Sequence, residues 1–189
     1  VRSWNQWLAK NTVVIEDAAQ HWLSNGCQRI GDCAAISFDP MKNLGCYGNG
    51  GAVVTDNLDL ADFARSWRDN GKPNYHRTGT NSRMSEIDCA TMMVKSHHID
   101  RWQTRRAQIS DFWRERFDNN SKIRCLITEK NAHSHAHHKF VIDVDNRDLL
   151  KQKLSDRKIE TKIHYGTALT DLEVSAPYLL HTKTSTAFY

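Results

Sequence analysis

Apolar runs of two different periods divide the chain. VVIED (13–17) is a short β-branched run closing on two acids, which predicts a buried parallel strand with its carboxyl edge at Asp17. AAQHWL (18–23) predicts a helix directly after it. AAISF (34–38) and GAVVT (51–55) predict two further strands, separated by a loop that holds Gly45, Gly48 and Gly50. From Leu60 the apolar positions Leu60, Phe63, Ala64 and Trp67 fall at helical spacing until Gly71 supplies a stop. S-E-I-D at 85–88 offers a capping box, and Ile87, Ala90, Val94, Trp102, Ile109, Phe112 and Trp113 continue a helical period. That pattern predicts a long helix kinked near His97. Past Asn119 the chain turns polar, and then KFVIDV (139–144), DLLKQKLSD (148–156) and IETKIHY (159–165) predict a small β-α-β unit.

The alternation of strands and helices is that of an α/β protein. The polar shift near residue 120 sets a boundary: 1–120 reads as part of a large domain that includes the long connecting helix, and 121–189 as a smaller C-terminal α/β domain, itself truncated. No internal repeat or low-complexity segment interrupts this order. The chain opens inside an amphipathic pattern (Trp4, Trp7, Leu8) and closes on AFY, so the expectation is a fragment of a longer protein.

Composition narrows the function classes. At 189 residues, 39% hydrophobic and 25% charged, the sequence is that of a globular protein with a real core. The net charge of +4 is spread along the chain and gives no basic patch for nucleic acid. Five cysteines (27, 33, 46, 89, 125) without a C-x-x-C pair suit reduced thiols in a cytoplasmic protein. No apolar run reaches membrane-spanning length, and the first residues carry no secretory apolar region.

The chemistry gathers at predicted carboxyl ends of strands, where α/β sheets present ligands: Asp17 with Gln20, then Ser37, then Lys42. Each has a plain structural reading. Asp17 suits a helix cap, Ser37 a turn hydroxyl, and Lys42 a solvated loop charge. GNGG precedes a strand instead of opening a helix, which argues against a dinucleotide fingerprint. Together, however, the types are complementary. A lysine that condenses with an aldehyde cofactor needs a carboxylate to keep a pyridine nitrogen protonated, and hydroxyl or amide donors for a phosphate.

VVIEDAAQ, GDCAAISFDPMKNLGCYGNGGAVVT, RDNG and TGTNSRMSEIDCA follow one another in an order and spacing that resembles the DegT/DnrJ/StrS family of pyridoxal-phosphate-dependent nucleotide-sugar aminotransferases. The resemblance runs from residue 13 to about 165. It implies an aspartate-aminotransferase-type fold (fold type I), with a mostly parallel sheet in the large domain and a smaller C-terminal α/β domain. It implies pyridoxal 5'-phosphate as cofactor, Lys42 as the Schiff-base lysine and Asp17 as partner of the pyridinium nitrogen. Gln20 then stands beside the ring and Ser37 at the phosphate. Asn81 matches an asparagine that reaches the cofactor of the other subunit, so a homodimer with a composite active site is implied, acting on a nucleotide sugar and an amino acid such as glutamate. Relatives that remove a hydroxyl carry histidine at the lysine position, so Lys42 points to transamination.

This sequence departs from the family pattern in places. The rest of the phosphate cup and the aromatic that stacks on the ring lie, in the family, before the equivalent of Val1. Asp39 and Met41 replace the usual residues between serine and lysine. At IHYGTALTDLE the family has proline after the tyrosine and histidine where Thr170 stands, so the sugar is left open. The other reading is a non-catalytic or regulatory paralogue that keeps the fold and dimer surface.

Two further stretches invite a site and carry none. HSHAHHK (133–139) would place His133, His135 and His137 on one face of a strand, but no carboxylate or thiol stands at ligand spacing, and the expectation is no metal. RWQTRR (101–106) reads as a solvated helix face.

Overall fold

The structure, a computed structural model, describes residues 12–24 and 29–178. The expected helix around Trp4, Trp7 and Leu8, the thiol of Cys27 and the terminal AFY lie outside the described residues. The chain falls into two compact units, Val1–Asp143 and Val144–Tyr189, a division placed later in the chain than the compositional shift near residue 120.

In the first unit the strands are β1 (Ile15–Asp17), β2 (Cys33–Ser37) and β3 (Gly51–Thr55), in that spatial order. β1 runs parallel to β2, with Asp17 opposite Ala35, so both strands deliver their carboxyl ends to one edge. β3 returns antiparallel to β2, with Ser37 opposite Gly51. The sheet formed by these described strands is therefore mixed, whereas the expectation was a mostly parallel one. The loop between β2 and β3 closes on itself, with Phe38 N–H donating to the Gly50 carbonyl at 2.8 Å, and so returns the chain beside β2 in the opposite direction.

AAQHWL is not a helix. Ala18 N–H continues the β1 ladder to the Ala35 carbonyl at 2.9 Å, and the residues after it close turns, with His21 N–H and Trp22 N–H both donating to the Ala18 carbonyl. Helix α1 (Leu58–Trp67) is capped by Asn57, whose Oδ1 accepts Leu60 N–H at 3.1 Å. The helix ends at Trp67 with Arg68 as its C-cap, earlier than the expected stop at Gly71, whose φ of 84° belongs to the turn that follows. The single long helix is two: α2 (Glu86–Ser96), capped by Ser85, and α3 (Ile99–Phe117), with the break at His97 and His98. The expected capping box is half made. Ser85 Oγ accepts Asp88 N–H at 3.1 Å, but the Asp88 carboxylate accepts the Ser85 hydroxyl at 2.8 Å and the Tyr47 and Gly48 N–H groups of the glycine loop, and not the Ser85 backbone N–H.

After α3 come β4 (Ile123–Cys125), the short α4 (Glu129–Ala132) and β5 (Ile142–Val144), which pairs with β4 in a two-stranded sheet. The histidine run is loop and not strand. Buried apolar residues in this unit are mostly small, among them Ala18, Cys33, Ala34, Leu44 and Cys46. By contrast, Ile15 and Val53 remain 70% and 55% exposed, so apolar side chains of the sheet stand uncovered by the described residues.

The second unit holds α5 (Arg147–Asp156), capped by Asn146, and two short 3-10 turns, Leu169–Asp171 and Glu173–Tyr178. IETKIHY forms no strand. Its alternation of apolar and charged residues suits an edge strand, but a strand requires a hydrogen-bonding partner, and among the described residues it has none.

Candidate active site

The loop from Phe38 to Gly50 is held as a rigid frame. Phe38 N–H donates to the Gly50 carbonyl at 2.8 Å and Cys46 N–H to the Phe38 carbonyl at 2.9 Å, closing its two ends. Ser37 Oγ accepts Asp39 N–H at 3.3 Å, and Asp39 Oδ1 accepts Met41 N–H at 2.9 Å. These are turns made by short polar side chains on their own backbone, so Asp39 and Met41 fit the loop without a catalytic part. Lys42 N–H then donates to the Asp39 carbonyl at 2.8 Å. Inside the turn, Gly45 leaves no room for a side chain: a Cβ there would lie 2.6 Å from the Pro40 carbonyl oxygen. The buried Cys46 Sγ lies 2.8 Å from the Phe38 carbonyl oxygen and 3.0 Å from that of Gly48, so its one S–H is shared between the two acceptors.

Lys42 is half-buried and lines a small cavity with Gln20, Trp22, Asn43 and His138. Trp22 packs edge-on to Phe38 with ring centroids 5.9 Å apart, giving that cavity an aromatic wall. Among the described residues the Lys42 amine makes no hydrogen bond or ion pair. Asp17 and Ser37 leave from the carboxyl ends of β1 and β2, so the parallel register brings them to the same edge. Asp17 Oδ1 accepts Ala19 N–H at 3.0 Å; the capping role weighed for it is thus filled, on a turn and not a helix.

Asn81 is placed elsewhere. It bridges to Asp69 beside the end of α1, where Thr80 N–H donates to the Trp67 carbonyl at 2.7 Å and Ser82 N–H to the Arg68 carbonyl at 3.0 Å. Its side chain is exposed and makes no hydrogen bond among the described residues. The structure therefore brings Lys42 and Gln20 into one cavity and Asp17 and Ser37 to one sheet edge, and sets Asn81 apart on a surface loop.

Sequence reasoning missed Asn43 and His138. Nothing in the local pattern marks them, because their partners are distant: Asn43 bonds to Gln103 and to the Ala136 carbonyl, both far along the chain. In the histidine run, burial first and then the neighbouring His137 and His21 push the His135 imidazole below the ordinary histidine value. No group of three His, Cys, Asp or Glu side chains able to hold a metal occurs among the described residues. Cys33, Cys46, Cys89 and Cys125 are free thiols. No helix among the described residues is long and apolar enough to cross a membrane.

The fold of this chain has solved counterparts. The fold superimposes on Streptomyces venezuelae DesV, solved in complex with a ketimine intermediate, with a TM-score of 0.81 and 32% identity over 90% of this chain and 48% of that one. It superimposes equally on ntda from Bacillus subtilis with bound cofactor PMP, at a TM-score of 0.81 and 23% identity over 99% of this chain and 45% of that one. The architecture is that of the aspartate-aminotransferase-type (fold type I) proteins.

The profile of the DegT/DnrJ/EryC1/StrS aminotransferase family matches residues 6–187, and the chain belongs to that family. Among curated relatives it is 38% identical to the erythromycin biosynthesis sensory transduction protein EryC1 of Saccharopolyspora erythraea, over 82% of this chain and 44% of that protein. It is 36% identical to the dTDP-3-amino-3,4,6-trideoxy-alpha-D-glucose transaminase of Streptomyces venezuelae, over 80% of this chain and 42% of that protein. The chain thus spans less than half the length of the curated relatives it matches.

Proposed function

We propose that the complete protein transfers an amino group from an amino acid such as glutamate to a keto-sugar nucleotide, using pyridoxal 5'-phosphate bound through Lys42. In this reading it is a cytoplasmic homodimer serving amino-sugar biosynthesis for a surface polysaccharide or a secondary metabolite. Residues 1–120 are then part of the cofactor-binding large domain, whose whole sheet is mostly parallel, and 121–189 part of the small C-terminal domain.

The observation that carries the reading is the half-buried Lys42 amine on the wall of a cavity shared with Gln20, next to the sheet edge where Asp17 and Ser37 emerge. That donor set suits the cofactor. It offers a primary amine for the aldehyde, a carboxylate for the pyridine nitrogen, an amide for the ring oxygen and a hydroxyl for the phosphate. When bound, the cofactor supplies an aldehyde and a protonated ring that takes up an electron pair.

The chain's residues do the rest. Asp17 holds the proton on the ring nitrogen by its charge. With the cofactor bound, Lys42 would be the base that takes the proton from the carbon bearing nitrogen and returns it one position away. Ser37 donates to a phosphate oxygen, Gln20 orients the ring, and Asn81 reaches the phosphate in the partner subunit. The amino donor leaves as its 2-oxo acid before the keto sugar enters, so the two substrates react in ping-pong order.

A non-catalytic, regulatory paralogue is the second reading, and the printed name of the relative EryC1, a sensory transduction protein, is the observation on its side. Borohydride reduction decides between the two. The complete protein, incubated with pyridoxal phosphate and reduced, should carry the label on the Lys42 peptide. Label on another lysine, or on none, would overturn the assignment.

A further inference from the structure

Gln103, Asn43 and His138 form a hydrogen-bonded chain that ends in the cavity lined by Lys42, and backbone carbonyls fix its polarity. Gln103 Nε2 donates to the carbonyls of Leu23 at 3.2 Å and Ala136 at 3.0 Å. A carbonyl can only accept, so the Gln103 amide has one admissible orientation, with Oε1 toward Asn43. Asn43 Nδ2 in turn donates to that oxygen at 2.8 Å and to the Ala136 carbonyl at 2.7 Å. Both of its donors are then used. Asn43 therefore faces His138 with Oδ1, and His138 Nδ1, at 3.0 Å, carries the hydrogen. In a neutral ring this makes Nε2 the acceptor nitrogen.

We propose that Asn43, Gln103 and His138 are a positioning network for Lys42: they pin the chain at the residue next to the lysine and hold His138 in its Nδ1–H tautomer on the wall of the lysine's cavity. The inference rests on the reading of Lys42 as the reacting amine. Its physical content is a division between what is fixed and what moves. Lys42 N–H is tied to the Asp39 carbonyl at 2.8 Å, and the neighbouring Asn43 side chain is tied to α3 through Gln103 and to the segment before β5 through Ala136. The main chain on both sides of the lysine's Cα is thereby held, which leaves the side chain as the part free to swing between cofactor and substrate.

The test uses the full-length protein with isotopically labelled histidine. Long-range proton–nitrogen spectra of the neutral ring show which nitrogen bears the proton. In the wild type the His138 proton should sit on Nδ1. Asn43→Ala removes the hydrogen bond to Nδ1, and Gln103→Met removes one of the two acceptors that hold the Asn43 amide. In Asn43→Ala the proton should redistribute toward Nε2, whereas in Gln103→Met it should stay on Nδ1, because the Ala136 carbonyl still orients the Asn43 amide; in both, kcat should fall about ten- to a hundredfold, the loss expected from a misplacement near 1 Å, with KM little changed. Should Asn43→Ala fail to fold, Gln103→Met decides alone. A wild-type ring protonated on Nε2, or variants that keep wild-type kcat, would overturn the proposal. Failure of the Lys42 assignment would appear separately in the borohydride experiment and would remove the proposal's premise, whatever the tautomer.

Discussion

Asp88 Oδ1 accepts the backbone N–H groups of Tyr47 at 2.8 Å and Gly48 at 3.1 Å, tying the first turn of α2 to the glycine loop that follows Lys42. The Gly48 N–H, then the Ser85 hydroxyl, then the Tyr47 N–H hold the Asp88 carboxyl below the ordinary carboxylate value. A carboxyl depressed in the folded state stabilises that state above its unfolded value, and the contribution is lost as pH falls through the folded value. Acidification below the usual carboxylate range should therefore loosen this end of the loop. In pH titrations the Tyr47 and Gly48 amide resonances should move together, with one midpoint lower than that of aspartate in an unfolded chain. Asp88→Asn should abolish that common titration; amides of the native protein that stay still across the range would refute it.

Gly45 makes the loop sensitive from within. Its missing side chain accommodates the Pro40 carbonyl oxygen, 2.6 Å from where a Cβ would stand, and the Asp39 carbonyl oxygen at 2.7 Å. Both contacts are backbone atoms that cannot rotate away. Gly45→Ala should destabilise the protein by about 1–3 kcal/mol, the usual cost of overpacking, read as a lower denaturant midpoint at unchanged slope. A variant as stable as the parent would show that the turn opens without cost.

How much of this was legible in the sequence depends on the range of the interactions involved. Ser85 marks a real helix boundary because capping is a matter of a few adjacent residues. Lys42 stands out by its loop, and Asp17 by closing a β-branched run. AAQHWL misled because apolar spacing over six residues cannot be told from a turn, and here the β1 ladder reaches Ala18 and sets the backbone. IETKIHY misled because alternation does not supply a partner strand. The Asn43 to Gln103 contact spans 60 positions, and no local pattern encodes a pair at that distance.

Asp17 offers a clean separation of structure from chemistry. Its Oδ1 accepts Ala19 N–H at 3.0 Å, and the amide oxygen of an asparagine can accept the same bond. Asp17→Asn should leave the turn and the unfolding midpoint in place. If the proposed role of Asp17 holds, the variant also loses the negative charge that would keep a ring nitrogen protonated, so turnover should fall by at least about a hundredfold while cofactor binding weakens less. Near-normal turnover in this variant would reduce Asp17 to a turn former.

The separation of Asn81 from Lys42 bears on the proposed dimer. Asn81 sits on a loop pinned to the end of α1, exposed, while Lys42 lies in the loop between β2 and β3. If each site takes Lys42 from one subunit and Asn81 from the other, the two defects can be segregated. In the complete protein, Lys42→Ala homodimers should be inactive, and homodimers carrying Asn81→Leu impaired through weaker phosphate binding. A mixed dimer would hold one site with both defects and one with neither. Co-expressed with different tags and purified as the heterodimer, the pair should recover about half the wild-type activity, as symmetry requires of one intact site in two. A heterodimer no more active than the Asn81→Leu homodimer would place Asn81 within its own subunit's chemistry or outside the site altogether.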